Sequence, residues 1–113
     1  EHTAGNFPLW LTPDQIIILP ISEKYNDYCR KLLNSLKNYD IRGHVDDRNE
    51  TTGKKIRDAE LEKIPYMIII GEKELHENKL SIRQHGGKNL GMMNKDNLIK
   101  FIKSKIEEEL NNN

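Results

Sequence analysis

Two short runs constrain this chain more than anything else in it. Ile16-Ile17-Ile18-Leu19 and Met67-Ile68-Ile69-Ile70 are apolar at every position. A strand with one face in water alternates apolar and polar residues, so an unbroken apolar run of this length describes a strand covered on both sides. Covering a sheet on both sides takes helices, and the sequence between the runs supplies them. From Ser22, placed as a helix N-cap, Tyr25, Tyr28, Cys29, Leu32, Leu33, Leu36 and Tyr39 recur at three- and four-residue steps. Residues 41–47 read as a short second strand, 52–64 as a second helix and 66–71 as a third strand, while the first strand, 15–21, ends near Pro20. The order β-α-β-α-β forms right-handed crossovers in a largely parallel sheet with helices on both faces, an α/β architecture. Residues 79–84 (K-L-S-I-R-Q) alternate and predict an outer strand, and 86–91 (G-G-K-N-L-G) read as turn material. A last helix runs from Asn94 to about Leu110, with Leu98, Ile102, Ile106 and Leu110 on one stripe and Ile99 beside it.

A chain of 113 residues makes one domain. Its 18 Lys plus Arg balance 18 Asp plus Glu, so no overall field draws polyanions and any nucleic-acid contact is local. Cys29 is the sole cysteine, which excludes an internal disulfide and points to a reducing, cytoplasmic setting. No apolar run approaches the ~20 residues needed to cross a bilayer, so the expectation is a soluble protein with no membrane partner. The chain starts at Glu1 without an initiator Met and ends in Asn111-Asn112-Asn113, as a C-terminal segment of something longer would. Residues 1–13, with Phe7-Pro8-Leu9-Trp10-Leu11-Thr12-Pro13, predict an extended linker whose aromatics dock on a surface, leaving 14–113 as the domain.

In open α/β sheets a binding crevice lies beyond the carboxyl ends of the parallel strands. The loops there are Ser22-Glu23-Lys24, Asp47-Arg48-Asn49-Glu50-Thr51 and Gly71-Glu72-Lys73-Glu74, which offer donors and acceptors but no nucleophile with its base. At ~100° per residue the second helix gathers Ile56, Ala59, Leu61 and Ile64 on a broad apolar face, with Gly53, Arg57 and Glu60 in the same arc. Arg57 and Glu60 can pair with each other at i,i+3, or face a ligand. His76-Glu77 lacks the second His of H-E-x-x-H, and Gly53-Lys54-Lys55 lacks the flanks of a phosphate-binding loop. His2, His44 and His85 have no nucleophile partner, and Cys29 falls on a buried stripe as a core filler. No catalytic residue and no metal ligand set emerges.

Several segments together carry a resemblance: F-P-L-W-L-T-P-D-Q at 7–15, D-D-R-N-E-T-T-G-K-K-I-R at 46–57, I-P-Y-M at 64–67 with G-E-K-E at 71–74, and S-I-R at 81–83 before Leu90-Gly91. In order and spacing they resemble the C-terminal anticodon-binding domain of bacterial-type threonyl-tRNA synthetases, a class II aminoacyl-tRNA synthetase family. The resemblance covers nearly the whole chain. It implies a three-layer α/β/α sandwich around a five-stranded mixed, mostly parallel sheet, and as partner the anticodon loop of threonine tRNA, whose second and third anticodon bases, G and U, are read on such domains. Ligation of threonine, with its ATP and zinc, would lie in an absent upstream catalytic domain, so this segment itself would hold no cofactor. The full-length protein would be a homodimer and the isolated domain a monomer. A free-standing RNA-binding module of the same fold is the alternative.

Carried over position by position, the resemblance places anticodon contacts at Asn49, Arg57, Glu74 and Arg83, with Lys63 where many relatives have Arg, and Gly53, Lys54 and Lys55 in support. The residue types suit the task. Splayed single-stranded bases are read on their Watson–Crick edges. A carboxylate accepts guanine N–H groups, a side-chain amide matches the adjacent donor and acceptor of uracil, and an arginine forks onto guanine or phosphate oxygens. Lys63 brings charge without a planar fork.

Overall fold

The structure, a computed structural model, describes residues 8–111. Five strands, β1 (Ile16–Pro20), β2 (Gly43–Val45), β3 (Tyr66–Ile70), β4 (Leu80–Gln84) and β5 (Lys88–Met93), form one sheet in the order β2-β1-β3-β4-β5. Four helices accompany them: α1 (Asn26–Lys37), α2 (Thr52–Leu61), α3 (Glu72–Glu77) and α4 (Lys95–Asn111). β1 runs parallel to β2 and to β3, with Ile18 opposite both Val45 and Ile68. β4 and β5 return antiparallel, placing Met67 opposite Arg83 and Ser81 opposite Met92.

The two-sided burial demanded by the apolar runs is what the fold delivers. Ile16, Ile18, Ile68 and Ile70 point to one face, where they join Cys29, Leu33 and Leu36 of α1 and Leu98, Ile99 and Ile102 of α4 in the larger core cluster. Ile17, Leu19 and Met67 point to the other, under Ala59 of α2 and Ile64 just beyond it. At about 25 cal/mol per Å² of apolar surface removed from water, fully buried Ile16, Ile18, Met67 and Ile68 hold both outer layers to the middle one. The two faces are not equally covered. Leu80 and Ile82 of β4 join the larger cluster, whereas no buried residue of β4 or β5 joins the α2 cluster. Among the described residues, the sheet beyond α2 therefore carries no buried apolar cluster on that side.

Several boundaries differ from the sequence expectation, each for a local reason. Residues 88–93 form a strand, so β4 is not the outer one; Gly86 and Gly87, at φ +96° and +89°, make the turn, and Gly91, at φ +81°, sits at the bulge where the β4–β5 register shifts. Ser22 caps a 3-10 turn, Glu23–Tyr25, and α1 begins only at Asn26. α2 stops at Leu61 because Lys63 takes the left-handed conformation at φ +60° and turns the chain to bury Ile64. Gly71-Glu72-Lys73-Glu74, read as a loop, starts the short helix α3. Of the expected linker, residues 1–7, Phe7 included, lie outside the described residues. Leu9 begins a 3-10 turn and is buried in the larger cluster. Gln15, 1% exposed, ties that turn down by donating to the Leu9 carbonyl and accepting from the Arg42 amide.

Candidate nucleic-acid interface

Strand alternation on β4 builds the surface beyond α2. Leu80 and Ile82 go to the larger core, so Ser81 and Arg83 emerge on the α2 side, opposite Ile69 and Met67. Glu74 reaches the same surface from the first turn of α3. One of its carboxylate oxygens accepts the Gly71 amide at 2.8 Å and the other accepts the Ser81 hydroxyl at 2.6 Å. Burial alone would raise its pKa, but the Ser81 hydroxyl and the Gly71 amide outweigh it and hold the group below the ordinary 4.5. Glu74 is an anion at neutral pH. Arg83 is part-buried, and its Nε has no hydrogen-bond partner among the described residues. The β4–β5 turn lies beside it: a Cβ at Gly87 would sit 3.8 Å from an Arg83 terminal nitrogen, an ordinary van der Waals contact.

The loop between β2 and α2 carries Asn49, which is exposed. It is held from below: Asp46, 7% exposed, receives Arg48 through Nε and Nη2, both at 2.8 Å, and the same guanidinium bridges to Asp58 on α2 at 3.0 Å. The Arg48 hydrogen bonds are the largest influence on Asp46 and lower its pKa, and Arg48 is correspondingly raised. Thr51 caps α2 by accepting the Lys54 amide. Arg30 on α1 reaches Asp47 at 2.8 Å.

α2 sits with Lys55 and Ala59 inward, which corrects the expected face. Lys55 is 4% exposed and its ammonium donates to the Pro20 carbonyl at 3.1 Å, so its apolar stem packs as core and the residue is withdrawn from the surface where a supporting contact was expected. Leu61, expected on the apolar face, is 74% exposed. Arg57, two residues from both Lys55 and Ala59, projects to solvent. Glu60 does not pair with it; its carboxylate turns to the β4–β5 turn and accepts the Gly86 amide at 3.1 Å, with His85 at 3.4 Å. Lys54 pairs with Asp58 at 3.4 Å, and Gly53 has open space beside it.

Glu74 and Arg83 thus share one face of the sheet, with Arg57 exposed on the helix that borders it and Asn49 at the entrance to that helix. Lys63, also exposed, stands past the far end of α2, a helix of 10 residues and so about 15 Å long at 1.5 Å rise per residue, with Asn49 before its start. Two contributors escaped the sequence reading. Ser81 was visible as an alternation partner of Arg83, but its bond to Glu74 depends on how α3 docks. The Arg48 bridge to Asp46 and Asp58 joins groups ten residues apart in sequence and carried no spacing signal. Among the described residues, no group of three or more His, Cys, Asp or Glu could hold a metal ion, and no helix is long and apolar enough to cross a membrane.

Residues 15–105, from the edge of β1 well into α4, match the anticodon binding domain family. The chain belongs to that family. This anticodon-binding domain is 56% identical over 110 residues to Threonine-tRNA ligase of Cytophaga hutchinsonii, which covers 97% of this chain and 17% of that protein. It is 53% identical over 110 residues to Threonine-tRNA ligase of Flavobacterium johnsoniae, with the same two shares, 97% and 17%. Among solved structures it is similar to the RNA binding domain of threonyl-tRNA synthetase from Cryptosporidium parvum Iowa II, with a TM-score of 0.84 at 33% identity, over 92% of this chain and 26% of that one. The anticodon-binding domain therefore spans about a sixth of the curated relatives it matches, 17% of their length. The mixed five-stranded sheet is the fold that the resemblance implied.

Proposed function

We propose that this domain binds the anticodon loop of threonine tRNA and reads its bases, as the C-terminal part of a cytoplasmic ligase that joins threonine to that tRNA with ATP. The observation that carries the reading is the α2-side face of β4. A bound carboxylate kept ionised and a guanidinium whose Nε has no hydrogen-bond partner among the described residues stand there on one face, with an exposed arginine and an exposed asparagine at its border. Ionised Glu74 can only accept, which suits guanine N–H groups. Arg83 offers a fork to guanine or phosphate oxygens, and the Asn49 amide matches uracil. Arg57 and Lys63 supply charge on the flank, and Gly53 room for a backbone to approach.

Magnitudes favour base reading over electrostatic capture. A bidentate base contact discriminates by about 1–3 kcal/mol, so three or four suffice to separate cognate from non-cognate loops while the net charge is zero. Affinity should accordingly fall only gently with salt. Threonine activation, ATP and zinc belong, on this reading, to the remainder of the ligase, as does pairing of subunits. A free-standing module is disfavoured because the relatives matched here are ligases in which the domain is one part. The test is tRNA binding by Arg83→Ala and Glu74→Ala. Each is expected to weaken threonine tRNA at least about tenfold with an unchanged circular dichroism spectrum, and undiminished binding by both would overturn the proposal.

A further inference from the structure

Glu74 is not free to choose its orientation. Its two oxygens are each engaged, one by the Gly71 amide and one by the Ser81 hydroxyl at 2.6 Å, the shortest hydrogen bond at this surface. Because the carboxylate is ionised, it has no proton to give, so the single hydroxyl proton of Ser81 is directed at Glu74. What Ser81 then presents outward is lone pairs only. Ser81 itself is part-buried on β4, one alternation step from Arg83 and on the same face. The pair forms a fixed edge of acceptors beside a guanidinium donor.

We propose that Ser81 determines specificity at this surface: by fixing the Glu74 carboxylate and adding an acceptor beside it, it admits a base edge made of N–H donors and rejects one that presents an acceptor at the same place. The inference rests on the anticodon reading above and deepens it. Guanine carries adjacent N–H donors on its Watson–Crick edge, whereas adenine places a bare ring nitrogen between its amino group and the rest of that edge. Against a rigid acceptor pair that nitrogen meets a lone pair, and an unmatched buried polar atom costs more than a missing contact gains. Without the Ser81 hydroxyl, Glu74 can swing or take up a proton and donate, and the rejection is lost.

The experiment compares the 113-residue chain with its Ser81→Ala and Ser81→Thr variants. The RNA probe is the threonine anticodon stem-loop, with guanine or adenine at the second anticodon base, and the readout is the ratio of the two affinities. Ser81→Ala is expected to lose about tenfold or more of that ratio, the usual scale for a hydrogen bond to a charged group. Ser81→Thr keeps the hydroxyl in a residue that suits a strand and should retain it. A second readout needs no RNA: the titration midpoint of the Glu74 carboxyl followed by NMR, which should rise in Ser81→Ala and stay low in Ser81→Thr. If Glu74→Ala and Arg83→Ala leave RNA binding untouched, the anticodon reading fails and with it the specificity role, whatever the titration gives. If those two weaken binding but Ser81→Ala keeps both the guanine-to-adenine ratio and the Glu74 midpoint, the role of Ser81 is refuted and the anticodon reading stands.

Discussion

Replacing Arg48 by Met removes the guanidinium while keeping the length of the stem, and it strikes the loop that presents Asn49. Asp46 beneath it is 7% exposed and takes two hydrogen bonds of 2.8 Å from Arg48, which also reaches Asp58 at 3.0 Å. Stranding a fully buried partner of this kind costs about 3–5 kcal/mol. Here the arginine side chain is 48% exposed, so water re-enters when it goes and the loss is discounted to about 1.5–2.5 kcal/mol. With a urea slope near 1–1.5 kcal/mol per molar for a small domain, the midpoint should fall by about 1–2.5 M.

The pH dependence separates this cause from lost packing. Asp46 has its pKa lowered below the ordinary 3.8, chiefly by the Arg48 hydrogen bonds, so the stability it confers is complete above 3.8 and is lost as pH falls through the lower folded value. Asp58 is lowered by the same guanidinium and acts in the same direction. The gap between native and Arg48→Met urea midpoints, followed by circular dichroism, should therefore be full at neutral pH and shrink in acid as the pH is taken below 3.8. An equal gap at both pH values would mean that the arm packs rather than pairs. No gap at neutral pH would remove the clamp altogether.

How far the sequence could be read follows from the range of the interactions involved. The apolar runs at 16–19 and 67–70 reported their environment directly, because burial of both faces is written in the residues themselves. The last helix was legible in its first half, its stripe at Leu98 and Ile102 being fully buried, but Leu110, expected on the same stripe, is 51% exposed because the helix end runs past the core. What was not legible depended on partners distant in the chain. Lys55 is buried against Pro20, 35 residues away, and a lysine in a helix gives no hint of this. Gly91 reads as a turn by composition but is a bulge, because only the pairing with Ile82 and Arg83 reveals that the ladder continues around it. At the site, Glu74 and Arg83 were placed by resemblance, whereas Ser81 became visible only when α3 and β4 were seen to meet. Residues proposed to touch a ligand are marked by motif. Those that aim them are marked by geometry.

Three further substitutions and labels test other parts of the fold. Cys29 is fully buried and burial pushes its thiol up to about 12, Lys55 and Arg30 pulling it down only in part. A thiol-specific disulfide reagent at pH about 8 should leave the folded chain unmodified and react at once in denaturing urea; rapid stoichiometric labelling of the folded state would contradict its placement. At Gly43 a side chain would run into the Ile16 carbonyl across the parallel β1–β2 pair, so Gly43→Ala should destabilise by about 2 kcal/mol or more, read from urea melts. Gly53 is the opposite case. It lies in the first turn of α2 with nothing within 4 Å of where a Cβ would be, so Gly53→Ala removes the entropic cost of glycine in a helix and should stabilise by about 0.5–1 kcal/mol. One use for the missing methyl is room at the proposed RNA surface. If that use is close approach of the RNA backbone, the same variant binds the anticodon stem-loop several-fold more weakly while melting later, two opposite changes from one atom. A variant that melts later and binds as tightly as the parent would take Gly53 out of the interface and leave Asn49, Arg57, Glu74 and Arg83 to account for it.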